Sequence, residues 1–453
     1  MREPDSGIGE VEHPRLFFLL LLTAESGCLS AYRSVSMANI SFKRVFHPVG
    51  QGAFFTEQLL SHPNGDALFN VVYDCGTFTD VNRRFPIAAP KLLRDKIDMS
   101  FNRNSHIDLL FISHFDGDHT NGLDYLLNNT TMDSKTIAVI PFKYPFLIVV
   151  MEDDYPELAQ FIYNAATQKN VHFVGMMGSN SAEFSGRAPI NIEKLIDKNE
   201  IVGQQLISIK PQDTHKPIWY YLPFMLSGAD KYENEFINQA ENVADLNDIQ
   251  SVIAKKEELK KIYKDIGERI GRNTKINTNS LLMLSYPASP GSCVDYARAT
   301  TCDNYFGDYC KWNRGYIRCK FSEKENVYPG SCMYTGDTSS DSDDFWAAFN
   351  NVLCSYLSEE NPSPTFFQTE EKIRLALFQI PHHGSGRSND ERIVNENRIY
   401  AAFTNFSPNY WQKIYDPNIS LQFYLQRKPL ILVTNDDSFR FEESWTLKYK
   451  KEL

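Results

Sequence analysis

No run in the 453 residues is long and apolar enough to span a bilayer. The one candidate, Leu16 to Ala24, is half the ~20 residues a crossing helix needs. Acidic residues Glu3, Asp5, Glu10 and Glu12 precede it, where a signal peptide carries basic ones. Residues 1–36 are therefore expected to be an N-terminal extension, disordered or upstream of a natural start at Met37. The protein is expected to be cytoplasmic, with no membrane partner. Close cysteine pairs are also missing. None of the eight cysteines forms a C-x-x-C pair, and Cys293, Cys302, Cys310, Cys319 and Cys332 are widely spaced. That spacing fits poorly with a zinc clip, so reduced thiols are expected. Positive charge is in deficit, the formal net charge being −11. This argues against coating long nucleic acid by bulk electrostatics, yet leaves room for a nuclease that uses bound cations. No internal repeat is visible.

Apolar residues, by contrast, make up 42% of the chain and aromatics 13%, enough for a large core. One stretch organises it, Ile107 to Leu127, IDLLFISHFDGDHTNGLDYLL. Leu109 to Ile112 has the length and composition of a buried strand. The chain then breaks into Ser113-His114-Phe115-Asp116-Gly117-Asp118-His119 and resumes as helix after Gly122. His114, Asp116, Asp118 and His119 thus crowd a strand-end loop, the place where open α/β sheets build sites. Imidazoles and carboxylates packed this densely need a cation to hold them together.

Further loops follow predicted strands. His62-Pro-Asn-Gly-Asp66 reads as a hairpin turn. Asp74, at the end of a strand over Asn70–Tyr73, reads either as a turn carboxylate bonding nearby amides or as a site residue. Ala89–Phe101 reads as a helix, and Glu233 to about Ile270 as one or two amphipathic helices packed on a sheet. Leu281–Tyr286 and Cys332–Tyr334 read as a strand pair, the second leading into Asp337. Ile373–Ile380 leads into Pro381-His382-His383, and Tyr400–Asn405 and Leu430–Thr434 supply the last strands. Lys372 and Arg374 flank the strand that leads to the histidine loop and Arg387 follows that loop; all three are read as solvated rather than as phosphate contacts.

The string His114-x-Asp116-x-Asp118-His119 resembles the signature loop of metallo-β-lactamase-fold hydrolases. Its Asp at the second position is similar to the hydrolase domain of ComEC-type DNA-uptake proteins and their stand-alone relatives. Val49-Gly50-Gln51-Gly52, Asp74-Cys75-Gly76, Asn277-Thr-Asn279-Ser280, Thr335-Gly336-Asp337 and Pro381-His382-His383-Gly384-Ser385 match that branch in order. The resemblance implies an α/β fold, an αββα sandwich of two mixed sheets flanked by helices. It would fill residues 37–453, with insertions at about 150–270 and 287–331.

It also implies a two-metal hydrolase. His114 and Asp116 would serve one ion, Asp118 and His119 the other. Asp337 would bridge them, and His382 or His383 would complete the second ion's shell, the other contacting substrate or protonating the leaving group. Asp74 would support the metals, and Asn279 and Ser280 would cap or bridge near them. Asp118, Asp337 and His383 are the expected catalytic residues. The wider fold often adds a histidine between the signature loop and the bridging Asp; here only His172 and His215 fall in that interval. The oxygen-rich set favours manganese or magnesium over zinc. Phe406-Ser407-Pro408 stands where the ComEC-type pattern has a His-Pro pair. The expected activity is phosphodiester hydrolysis on a short nucleic acid or nucleotide. The rival readings are hydrolysis of a peptide, thioester or cyclic nucleotide, or a non-catalytic partner or sensor subunit. Stand-alone relatives also occur in bacterial anti-phage operons, which points to defence-system partners.

Overall fold

The computed structural model describes residues 37–450 apart from 62–64, 79–88, 178–187, 203, 212–215, 227–230, 271–279, 289–292, 301–316, 319–326, 358–373, 387, 408–415, 427, 429 and 436–439. The expected N-terminal extension, Asn279, His215, Lys372 and Arg387 lie outside the described residues. Ser36–Leu453 forms one compact unit.

The strands, in chain order, are β1 (Met37–Phe46), β2 (Phe54–Ser61), β3 (Ala67–Cys75), β4 (Leu109–Phe111), β5 (Ile137–Ile140), β6 (His172–Met177), β7 (Ile190–Asn191), β8 (Glu200–Val202) and β9 (Ile207–Ile209). They continue with β10 (Trp219–Met225), β11 (Leu281–Pro287), β12 (Cys293–Thr300), β13 (Ile317–Arg318), β14 (Val327–Tyr334), β15 (Arg374–Gln379), β16 (Ile399–Asn405), β17 (Leu430–Val433) and β18 (Phe441–Lys450). One sheet runs β13-β12-β18-β1-β2-β3-β4-β5-β6-β8, the other β17-β16-β15-β14-β11-β10-β9-β7. Both are mixed. β3 to β6 pair in parallel beside antiparallel β1 to β3, and β14 to β17 pair in parallel beside antiparallel β10, β11 and β14.

Alternation along the strands explains the layers. Leu109, Phe111, Val139, Met283, Tyr334 and Phe403 fill the space between the sheets. Leu110, Ile112, Ala138 and Ile140 face the other way, onto helices α1 (Lys91–Ser100), α3 (Leu123–Asn129), α4 (Pro156–Gln168), α5 (Lys231–Ala240) and α7 (Lys256–Ile270). The four-residue α2 (Gly117–Thr120) follows the signature loop, and α6 (Ile249–Ala254) precedes α7. The second sheet's outer face carries α8 (Asp343–Tyr356), whose Phe345, Phe349 and Val352 pack on Phe378, with α9 (Arg392–Asn395) and α10 (Pro417–Leu425) beside it. The result is helix, sheet, sheet, helix: two mixed sheets flanked by helices.

The stretch at 150–270, expected as an insertion, supplies β6 and β8 to the first sheet and β7, β9 and β10 to the second. Of 287–331, the described parts include β12, which pairs with β18, and β13 beyond it. The helical pattern after Glu233 resolves into three helices packed on the first sheet, and Met283 pairs with Tyr334 in the expected strand pair.

A polar knot ties the sheets together through the core. Arg44 of β1 is fully buried; it donates to Glu57 on β2 (2.7 Å), to Glu443 on β18, and across to Ser285 on β11 (3.2 Å) and the Gly330 carbonyl (3.1 Å). Tyr334 donates to Glu57 at 2.6 Å, and Trp219 donates to Ser285 at 2.9 Å. A lone buried guanidinium would be costly; here each charge meets its partners.

Candidate metal centre

The sheets place their strand-end loops along one edge of the sandwich. β3 ends in Asp74, β4 in the signature loop, β14 in Asp337 and β15 in the histidine pair. The loops are knit directly to one another. Leu281 N–H donates to Ser113 O at 2.7 Å, His382 N–H to Gly336 O at 3.1 Å, and Ala53 N–H to Asp118 O at 3.1 Å.

Two glycines let the signature loop sit this low. A Cβ on Gly76 would stand 2.3 Å from the Asp118 carbonyl carbon, and one on Gly52, at φ +141°, would stand 2.6 Å from the Gly76 oxygen. These are the glycine turn and the Asp-x-Gly turn of the sequence. Gln379, at the end of β15, accepts from the Thr335 amide at 2.9 Å and the Gly336 amide at 3.3 Å, which anchors the turn carrying Asp337.

Four groups converge: Asp118, His119, Asp337 and His383 offer ligand atoms all within 4.8 Å of one another. His119 Nε2 is 3.3 Å from Asp337 Oδ1; His383 Nε2 is 3.5 Å from that same oxygen and 3.5 Å from Asp118 Oδ2. The other carboxylate oxygen, Oδ2, faces His114 Nε2 at 3.6 Å and His382 Nε2 at 3.7 Å. These separations exceed hydrogen-bond length. They match the edge of a coordination polyhedron, which is roughly 3.4 Å for tetrahedral bonds of about 2.1 Å. The buried Nε2 atoms of His114, His119 and His383, and Asp337 Oδ1, have no hydrogen-bond partner. Orphaned, mutually facing ligand atoms of this kind fit a divalent cation.

The second layer aims the rings. His119 Nδ1 donates to Asp74 Oδ2 at 2.8 Å, and Ser113 donates to the same carboxylate through N–H and Oγ, each at 2.6 Å. Asp74 has a left-handed backbone (φ 55°), and its carboxylate both accepts from the Ser113 amide and orients the His119 imidazole. His383 Nδ1 donates to the Asn405 carbonyl at 3.0 Å and His382 Nδ1 meets Ser388 Oγ at 2.9 Å, so each turns Nε2 towards Asp337. Both histidines lie at positive φ, 49° and 53°, and their Nε2 atoms face opposite oxygens of that carboxylate. His383 is buried with the four-ligand group, while the His382 side chain is 41% exposed at the mouth.

Electrostatics follow from this crowding. Burial alone would raise Asp118, but the charges of His119 and His383 outweigh it and bring the carboxyl to about 2. Asp337 lies well below the carboxylate range, because the surrounding imidazoles overcome its burial. His119 is raised well above 6.5 and His383 is raised, each against its own burial, by Asp337 together with Asp74 and Asp118 for the first and Asp118 for the second. His114 is lowered, by burial and then by the His119 charge.

The remaining expected residues are placed as follows. Asp116 precedes α2 outside the four-ligand group, and its charge acts on His114 and on Tyr155, a buried ring packed against Phe115. Ser280 is buried below the site, beside Gly336. His172 is engaged elsewhere, its Nε2 lying 2.6 Å from Lys198 O. Arg374 donates to Asn397 O at the start of β15, the end of the strand away from the histidines. Sequence patterning does not single out Ser113, Gln379, Ser388 and Asn405; the available signal is the polar Gln379 closing the apolar run Leu375–Phe378. No family model matches the chain, and comparison with curated proteins finds no match.

Proposed function

We propose that the protein is a metal-dependent hydrolase of the metallo-β-lactamase fold that cleaves phosphodiesters with two divalent ions. The observation that carries the reading is the Asp337 carboxylate, with two imidazoles facing each oxygen. Asp118, His119, His383 and Asp337 Oδ1 would hold one ion. His114, His382 and Asp337 Oδ2 would hold the other, with Asp116 adjoining. Charge supports the count: Asp74, Asp116, Asp118 and Asp337 bring four negative charges, which two divalent cations neutralise while the histidines ligate as neutral rings.

Ions in this place would supply Lewis-acid polarisation of a phosphoryl oxygen and offset the charge that develops on it. The chain's own residues do the positioning. Asp74 holds His119 through its Nδ1–H, the Asn405 carbonyl holds His383, and Ser388 holds His382. The buried walls keep water from His119 and His383, while His382 stands at the open side where a substrate arrives. The formal net charge of −11 favours a short or small phosphodiester over long duplex nucleic acid.

The test is a substrate panel with Mn²⁺, Mg²⁺ and Zn²⁺: bis-p-nitrophenyl phosphate, single- and double-stranded DNA, RNA, cyclic dinucleotides, a thioester and a β-lactam. Turnover of phosphodiesters is expected, best with Mn²⁺. Turnover confined to the thioester or the lactam would overturn the substrate class.

A further inference from the structure

A second feature lies on the same edge of the sandwich. A cavity of ≈ 120 Å³ opens between the ends of β6 and β10 and the side of α5. Its floor is sulfur-rich, formed by Met176 and Met177 of β6 and Met225 of β10. Glu233, Asn234, Ile237 and Asn238 line it from α5, and Lys143 closes one side. Lys143 is pinned there by Glu241 at 3.1 Å and by the Tyr144 ring at 4.5 Å. Asn238 is exposed, so its side-chain amide stands at the rim.

Strand register locates the cavity relative to the metal centre. Phe111 pairs with Val139 and Val139 with Val174, so Met176 is level with Ser113 two strands away, about 10 Å at ~4.8 Å per strand. From the other sheet, Met225 pairs with Leu281, whose N–H donates to Ser113 O at 2.7 Å. The cavity is therefore one nucleoside's reach from the ligand group, along the edge on which a substrate would lie.

We propose that this cavity is the base-binding subsite of the substrate and takes a single six-membered heteroaromatic ring, a pyrimidine. The proposal rests on the phosphodiesterase reading above. Size sets the scale: ≈ 120 Å³ is near the roughly 150 Å³ of a cavity that accepts one benzene, so a single six-membered ring matches it more closely than a fused purine does. Chemistry sets the type. Thioethers pack favourably against aromatic rings and adapt to their outline. The Asn238 amide offers a donor and an acceptor side by side, the complement of a pyrimidine's amide-like edge.

The experiment is binding of uridine, ribose and adenosine to the full-length, metal-loaded protein, followed by saturation-transfer NMR. None carries a phosphodiester, so hydrolysis is not what is read. Uridine should bind, with ribose and adenosine at least tenfold weaker. Asn238→Trp, on an exposed helical position, should fill the cavity and weaken uridine at least tenfold with an unchanged melting temperature. Met177→Ala should widen it and narrow the gap between adenosine and uridine. Ribose binding as well as uridine, or Asn238→Trp binding uridine as wild type does, overturns the subsite. Turnover of bis-p-nitrophenyl phosphate by the wild type is measured alongside. Its absence with uridine still bound selectively overturns the hydrolase reading and leaves the ring-binding cavity standing; its presence without selective uridine binding does the reverse.

Discussion

Asp337 Oδ1 lies 3.3 Å from His119 Nε2, while Oδ2 of the same carboxylate lies 3.6 Å from His114 Nε2. Two histidines of one signature loop are thus sorted onto opposite oxygens of a residue more than two hundred positions away. A carboxylate hydrogen-bonded to either ring would sit closer. The gap on both sides suits the proposed two-ion bridge, and it defines the first prediction.

Asp337→Asn should lower metal content from two ions per chain to one or none, and cut phosphodiester turnover by several powers of ten. The neutral amide keeps the shape but loses the charge that two cations share. Elemental analysis after reconstitution measures the first effect and steady-state kinetics the second. Two ions retained with full turnover would remove Asp337 from the centre.

Much of this geometry was legible because the ligands sit in short strings at strand ends, where a break from apolar to acidic is easy to see. Leu109 to Ile112 followed by Ser113 to His119 is such a break. What stayed hidden depended on backbone angle or on distant partners. Nothing in Pro381-His382-His383 reveals which ring turns inward, since that depends on distant partners, the Asn405 carbonyl for His383 and Ser388 for His382. β7, β8 and β9 are two or three residues long, too short for alternation to register. Arg44 left a trace that is plain in retrospect. It falls in phase with Ile40, Phe42 and Phe46, and period two therefore aims a guanidinium into the core.

Metal uptake should release protons. His119 and His383 are raised above 6.5 in the metal-free protein, chiefly because neighbouring carboxylates overcome their burial. A raised pKa keeps the ring protonated to higher pH, and a ligand nitrogen must be free of its proton. Affinity should therefore rise as pH climbs through those raised values, and fall below them. Titration calorimetry in buffers of different ionisation enthalpy reads the proton count directly. A pH-independent affinity between 6 and 8, with no buffer dependence, contradicts the arrangement.

Gly76→Ala should harm stability and metal binding together. Its Cβ would stand 2.3 Å from the Asp118 carbonyl carbon and 2.4 Å from the His119 nitrogen, both backbone atoms that cannot swing aside. The overpacking costs about 1–3 kcal/mol. Because the displaced atoms carry two ligands, metal affinity should fall at least tenfold. Urea unfolding and a metal titration separate the two effects; a stability loss with unaltered affinity would mean the loop tolerates the shift.

Arg44→Met tests the knot between the sheets. The substitution keeps much of the volume but removes the guanidinium donors to Glu57, Glu443, Ser285 and the Gly330 carbonyl. Glu57 and Glu443 would remain in a dry interior without their cation. Breaking a buried pair from one side costs about 3–5 kcal/mol, because the stranded charge and not the lost contact dominates. Replacing all three charges by neutral groups, as Arg44→Met with Glu57→Gln and Glu443→Gln, removes the stranded charge and should recover part of that loss. Urea unfolding of the single and triple variants makes the comparison. If the triple variant is less stable than the single one, hydrogen bonding through the knot outweighs its charge, and the explanation in terms of stranded carboxylates is wrong.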